Sequence, residues 1–199
     1  MNVLCAHKNK IPTLFLTILS LMAIFIPISA SAMTNDQEIE LEFNLQPTIN
    51  VSISGSLAIE TLLPGEAAAS TTGATVYVST NYSGGYVLSA TVGSSSNPTT
   101  SLVSSGITGA FSMLDSDAAA VALTALADDN WGLSINGGTT FIGLPLYTST
   151  AKTLKTTSAA AASDTLSVKI GAKATSTTET GTYSNVINFV AVTNVPAGS

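Results

Sequence analysis

From Glu38 to Pro47, within the stretch that opens at Gln37, apolar and polar residues alternate without a break. Ile39, Leu41, Phe43 and Leu45 fall on one side, Glu38, Glu40, Glu42 and Asn44 on the other. A period of two sends successive side chains to opposite faces of an extended chain, so the stretch predicts a half-buried strand. The same alternation returns after Pro47, with Ile49, Val51 and Ile53 against Asn50, Ser52 and Ser54. Further strands are predicted at "ATVYVST" (74–80), "GYVLSATV" (85–92), "WGLSI" (131–135), "DTLSVKIGAKA" (164–174) and "TYSNVINFVAV" (182–192). All are rich in β-branched or aromatic residues and are bounded by Gly, Pro, Asn or Ser. "NYSGG" (81–85) predicts a hairpin connection between "ATVYVST" and "GYVLSATV".

Only Asp117 to Asp129 departs from the period of two, because its apolar residues run together; a short helix near 117–127 or a packed loop is expected there. The Ser/Thr-rich pieces 92–106 and 148–163 are too poor in apolar residues to read as strands and predict surface loops. No internal repeat is found. Short strands joined by polar turns, without helices between them, predict an all-β chain built as an antiparallel, Ig-like β-sandwich.

Composition narrows the setting. Lys8 and Lys10 precede the uncharged run "TLFLTILSLMAIFIPI", and "SASAM" follows with small residues at Ala30 and Ala32. Together these predict a secretory signal peptide over 1–32 and a single exported domain over 33–199. The run is shorter than the roughly 20 residues that cross a bilayer, so no membrane span is expected in the processed chain. Removing the leader takes two of the six lysines, the only histidine, His7, and the only cysteine, Cys5, and there is no arginine. Four lysines then face twelve acidic residues, a formal charge of 4 − 12 = −8 over 199 − 32 = 167 residues. Such a surface lacks the cationic patches that bind phosphate backbones, which disfavours nucleic acid and anionic lipid as partners. Without cysteine, neither disulfides nor thiolate metal sites hold the fold. Stability has to come from apolar burial, for which a chain this long suffices.

Two stretches carry a family resemblance. "VYVSTNYSGGYVLSA" in the first half and "GTYSNVINFVAVTNVP" at the end resemble the WxL-type domains of bacterial surface proteins. In those domains a strand, a glycine turn and an aromatic-x-Leu strand are followed by a terminal G-T-Y strand. "NWGLSI" and "FIGLP", lying between, are similar to segments of uncharacterised secreted β-sandwich proteins from small-genome bacteria. The resemblance implies a WxL-like sandwich held non-covalently on peptidoglycan or another cell-surface polymer. The chain departs from the motif: Tyr86-Val87-Leu88 and Phe189-Val190-Ala191 stand where Trp-x-Leu is expected, and the literal Trp131-x-Leu133 lies between them.

Candidate chemistry can be weighed residue by residue. Glutamates two apart on a strand lie about 6.8 Å from each other, within the carboxylate separation of inverting glycosidases. Glu38, Glu40 and Glu42 nevertheless share one solvated face, with no enclosure to raise the pKa of an acid. Asp115 with Asp117, and Asp128 with Asp129 and Asn130, offer oxygen ligands for Ca²⁺, yet helix-capping and turn chemistry explains them with less. No cofactor is called for. Without His or Cys a serine nucleophile would need lysine or carboxylate as its base, and no G-x-S-x-G or S-x-x-K motif stands near a strand end. Tyr86, Trp131, Tyr147 and Tyr183, with Phe141, are candidate binding aromatics for sugars, although most aromatics in a sandwich belong to its core.

The chain therefore reads as a secreted, non-catalytic binding or structural protein at the cell surface. One alternative keeps the opening stretch: Ile39, Leu41, Phe43 and Leu45 form a candidate donor strand that completes the sheet of a neighbouring copy, making a fibre subunit. The competing reading pairs that strand within its own domain, its glutamates guarding an edge. A carbohydrate-active hydrolase, resting on the glutamates and aromatics alone, is the third and weakest reading.

Overall fold

Residues 45–107 and 110–194 are described by the computed structural model; the expected leader, 1–32, and Ile39, Leu41 and Phe43 of the candidate donor strand lie outside them. Leu45 itself is 78% exposed and precedes the first strand. The strands are β1 (Ile49–Ser54), β2 (Ala67–Ala69), β3 (Ala74–Thr80), β4 (Tyr86–Val92), β5 (Leu102–Val103), β6 (Ala110–Met113), β7 (Val121–Ala122), β8 (Asn130–Ser134), β9 (Thr140–Phe141), β10 (Lys152–Thr156), β11 (Ala161–Lys173) and β12 (Ile187–Thr193). The fold class is all-β, as the alternation predicts. In the one stretch that breaks the period of two, β7 is followed by a single 3₁₀ turn, Leu123–Ala125.

A seven-stranded sheet runs β1-β3-β11-β8-β6-β5, with β2 pairing along β11; a three-stranded sheet runs β10-β4-β12; and β7 pairs with β9. Alternation decides what each face buries. On β3 it sends Ala74, Val76, Val78 and Thr80 inward, and on β4 Tyr86, Leu88, Ala90 and Val92. These two stripes belong to different sheets and meet in one hydrophobic core with Trp131, Leu133 and Val168. Each fully buried side chain of that size contributes about 1.5–3 kcal/mol.

On β8 both faces are covered, since Gly132 and Ser134 are buried as well as Trp131 and Leu133. Phe141 covers the outer side by packing onto Gly171 of β11, where a Cβ would collide with its ring. Among the described residues every buried side-chain polar atom has a hydrogen-bond partner, as native interiors require.

Several expectations are corrected. "NYSGG" is not a hairpin: β3 pairs with β1 and β11 whereas β4 pairs with β10 and β12, so Asn81–Gly85 is a corner that carries the chain from one sheet to the other. A short glycine-containing link serves either geometry, and opposed apolar stripes favour facing sheets over neighbouring strands. The sheets are not wholly antiparallel, because β6 runs parallel to β8. The piece 148–163 is not a loop: it holds β10 and the start of β11, and 92–106 holds β5. As an edge strand β10 needs few inward residues, so half-buried Leu154 among lysines and threonines leaves little pattern to read.

Candidate functional site

The charged groups are largely spoken for. Asp164 on β11 accepts the Tyr86 hydroxyl at 2.8 Å, the Lys155 ammonium at 2.7 Å and the Thr165 amide at 2.8 Å. Lys155 beside it, helped by the other two donors, holds the Asp164 carboxyl below the usual aspartate range; burial pushes the other way. Burial first, then the hydrogen bond to that carboxylate, pushes the Tyr86 phenol well above the ordinary tyrosine value. A carboxylate kept ionised by three donors locks β10, β11 and β4 together. It is poorly suited to moving protons at neutral pH.

The remaining lysines are engaged in the same manner. Lys152 donates to the Ser116 carbonyl, Lys169 donates to that of Thr71 at 3.3 Å, and Lys173 pairs with Asp128 at 2.8 Å. Asp115 accepts the Asp117 amide at 2.9 Å, closing a turn. Asp129, in the left-handed region at φ 51°, takes the Thr178 hydroxyl at 2.6 Å and the Thr175 amide at 3.1 Å. The carboxylates weighed for Ca²⁺ thus serve turns and an ion pair, and no group of three metal-ligating side chains occurs among the described residues. Glu38, Glu40 and Glu42 lie outside them.

The aromatics separate by position. Tyr86 is 1% exposed and points at Asp164, Phe141 is fully buried on the outer side of β8, and Tyr147 is half-buried beside β4, its amide bonded to the Val92 carbonyl. Only Trp131 and Tyr183 come together, at a cleft of about 730 Å³. Trp131 is 1% exposed, with its indole N–H donated to the Thr100 carbonyl at 3.1 Å. A ring so enclosed forms a floor and offers no face on which a sugar can stack. Half-buried Tyr183 stands edge-on to Phe111, ring centroids 4.9 Å apart at 88°, and donates its hydroxyl to the Glu179 carbonyl at 2.9 Å.

Around that floor the walls are apolar: Leu57, Ile59 and Leu62 come from the segment after β1, and Ile187 and Phe189 from β12. The rim is uncharged except for Glu60 and Glu179. Sequence reasoning missed Phe111, Phe189 and the Leu57–Leu62 wall. Phe189 lay inside a recognised strand, so its alternation with Val190 was the available signal, whereas nothing local marks Leu57–Leu62.

The cleft adjoins two open strand edges. Among the described residues β12 is hydrogen-bonded to β4 alone and β1 to β3 alone, and the two strands run near each other. Neither edge carries a charge or a proline, and Val190 and Val192 on β12 are 53% and 56% exposed. No helix among the described residues is long and apolar enough to cross a membrane. Compared with models of protein families, with curated proteins and with solved structures, the chain matches none of them.

Proposed function

We propose that this is an exported, non-catalytic protein of the cell envelope, a β-sandwich that works by presenting a surface. The observation that carries the reading is how its side chains are employed. Titratable groups tie strands and turns together, while an apolar cleft of about 730 Å³ lies beside uncharged strand edges. Clefts of this size with few polar groups are characteristic binding sites. The leader-like first 32 residues and the resemblance of the strand order to WxL domains support a reading in which the protein acts outside the cytoplasm, held on peptidoglycan or a related surface polymer. Sedimentation with purified cell walls tests the attachment: the processed protein is expected in the wall pellet, and its recovery in the supernatant at all protein-to-wall ratios would refute wall binding.

A second reading is favoured by the open edges. Uncharged, proline-free edges are templates for pairing with another chain, and proteins that stay monomeric usually blunt them. In this reading the protein is a fibre subunit joined by the strand 37–46.

A further inference from the structure

We propose that the cleft between β12 and the Leu57–Leu62 wall receives residues 37–45 of a second copy, so that copies join head to tail; this deepens the fibre reading above and rests on it. Polarity along the strands is the first argument. At one end of the molecule the chain enters at Gln46, whose carbonyl accepts the Asn81 side-chain amide at 3.2 Å, while Asn81 in turn accepts the Thr48 amide at 2.7 Å. β12 finishes at the same corner, where the Asn194 amide donates to the Gly85 carbonyl at 3.0 Å. Register puts Ile49, Thr80, Tyr86 and Thr193 at that end, and Ser54, Thr75, Val92 and Ile187 at the other. The cleft is lined by Ile53, Ala74, Ile187 and Phe189, so it opens at the far end. An element that leaves at one end and is received at the other makes a heterologous contact, which propagates into a filament unless the rotation between copies closes it into a ring.

Pattern is the second argument. An edge accepts a strand through its backbone and sorts alternate side chains by face. Ile39, Leu41, Phe43 and Leu45 would lie over the apolar floor and walls, and Glu38, Glu40 and Glu42 would stay in water. Reach is the third. Between the expected cleavage site and Leu45 lie residues 33–44, which extend to roughly 40 Å. β1, with six residues, spans about 20 Å. The segment is long enough to traverse a neighbour's cleft.

The experiment uses the processed chain, which has no cysteine once Cys5 leaves with the leader. Two single variants, Glu42→Cys and Val190→Cys, are mixed and treated with a short bismaleimide, and mass is followed by analytical ultracentrifugation. The expected results are species above monomer mass that grow with concentration, and a crosslink joining one variant to the other. The Leu41→Asp/Phe43→Asp double variant is expected to stay folded, by circular dichroism and Trp131 fluorescence, while losing both. A chain that remains monomeric at high concentration overturns the proposal, as do assemblies that survive the double aspartate change. An unfolded double aspartate variant, or a Glu42→Cys/Val190→Cys chain that crosslinks only to itself, overturns it in favour of an intramolecular strand. Wall sedimentation of the monomeric double variant separates this outcome from wall attachment, which does not need residues 37–45.

Discussion

At the scale of single residues the Tyr86–Asp164–Lys155 junction makes two opposite predictions about pH. Asp164 has its pKa lowered by folding, so its contribution is present above the unfolded value near 3.9 and is lost as pH falls through the lower folded value. Asp164→Asn should therefore be less stable than the parent at pH 7, with the gap closing below about pH 4. Tyr86 has its pKa raised, so its contribution is intact below the unfolded value near 10 and declines as pH rises beyond it. Tyr86→Phe should flatten that alkaline decline, at a cost of about 0.5–1.5 kcal/mol at neutral pH for the lost hydrogen bond. Urea midpoints read from Trp131 fluorescence across both pH ranges check the pair; parallel curves for parent and variants would contradict it. Gly171 gives a steric counterpart. Because Phe141 lies against its Cα, Gly171→Ala forces the ring or β11 to shift and should destabilise the fold by about 1–3 kcal/mol in the same assay.

At the scale of elements, the corner Asn81–Gly85 is where the two sheets are fastened. The Asn194 side-chain amide donates to the Gly84 carbonyl at 3.2 Å and to the Thr157 carbonyl at 2.7 Å, binding the end of β12 to the turn and to the strand end of β10. Asn194→Ala removes both donors. It is expected to cost about 1–3 kcal/mol and to speed amide exchange at Gly85, Tyr86 and Thr157 first, with β8 amides unaffected. Uniform acceleration across both sheets would show that the corner is not a separate fastening. The elements also show what the sequence could reveal. β3 coincides with "ATVYVST" because a strand buried on one face must alternate, and β4, β8, β11 and β12 were legible for the same reason. β10 was hidden by its edge position, and β5, β7 and β9 by having two residues each. Which sheet a strand joins stayed illegible, since Thr80 pairs with both Ile49 and Ala161 and no local pattern records partners that distant. The cleft was hidden likewise: its floor is Trp131 from β8 and Phe111 from β6, while its walls come from two other parts of the chain.

At the scale of the whole molecule, β11 decides how the fold comes apart. Its first part pairs with β3, its last part with β8 and β2, and Val168 between them sits in the core shared with β4. Among the described residues the three-stranded sheet has no second core of its own, because Tyr86, Leu88, Ala90 and Val92 bury against residues of the larger sheet. Neither sheet can keep its apolar face dry after the other leaves, so unfolding should be a single cooperative transition. Far-UV circular dichroism reports strands in both sheets, whereas fluorescence reports Trp131 in the larger one alone, which makes the two probes independent. Their urea curves should superimpose with one midpoint and one slope. Refolding should take milliseconds to seconds, since pairings such as Ala161 with Thr80 close long stretches of chain before any contact rewards them. If the circular dichroism curve splits and only its later part follows Trp131, the three-stranded sheet detaches first. The cleft wall formed by Ile187 and Phe189 would then be the part of the molecule that opens most readily.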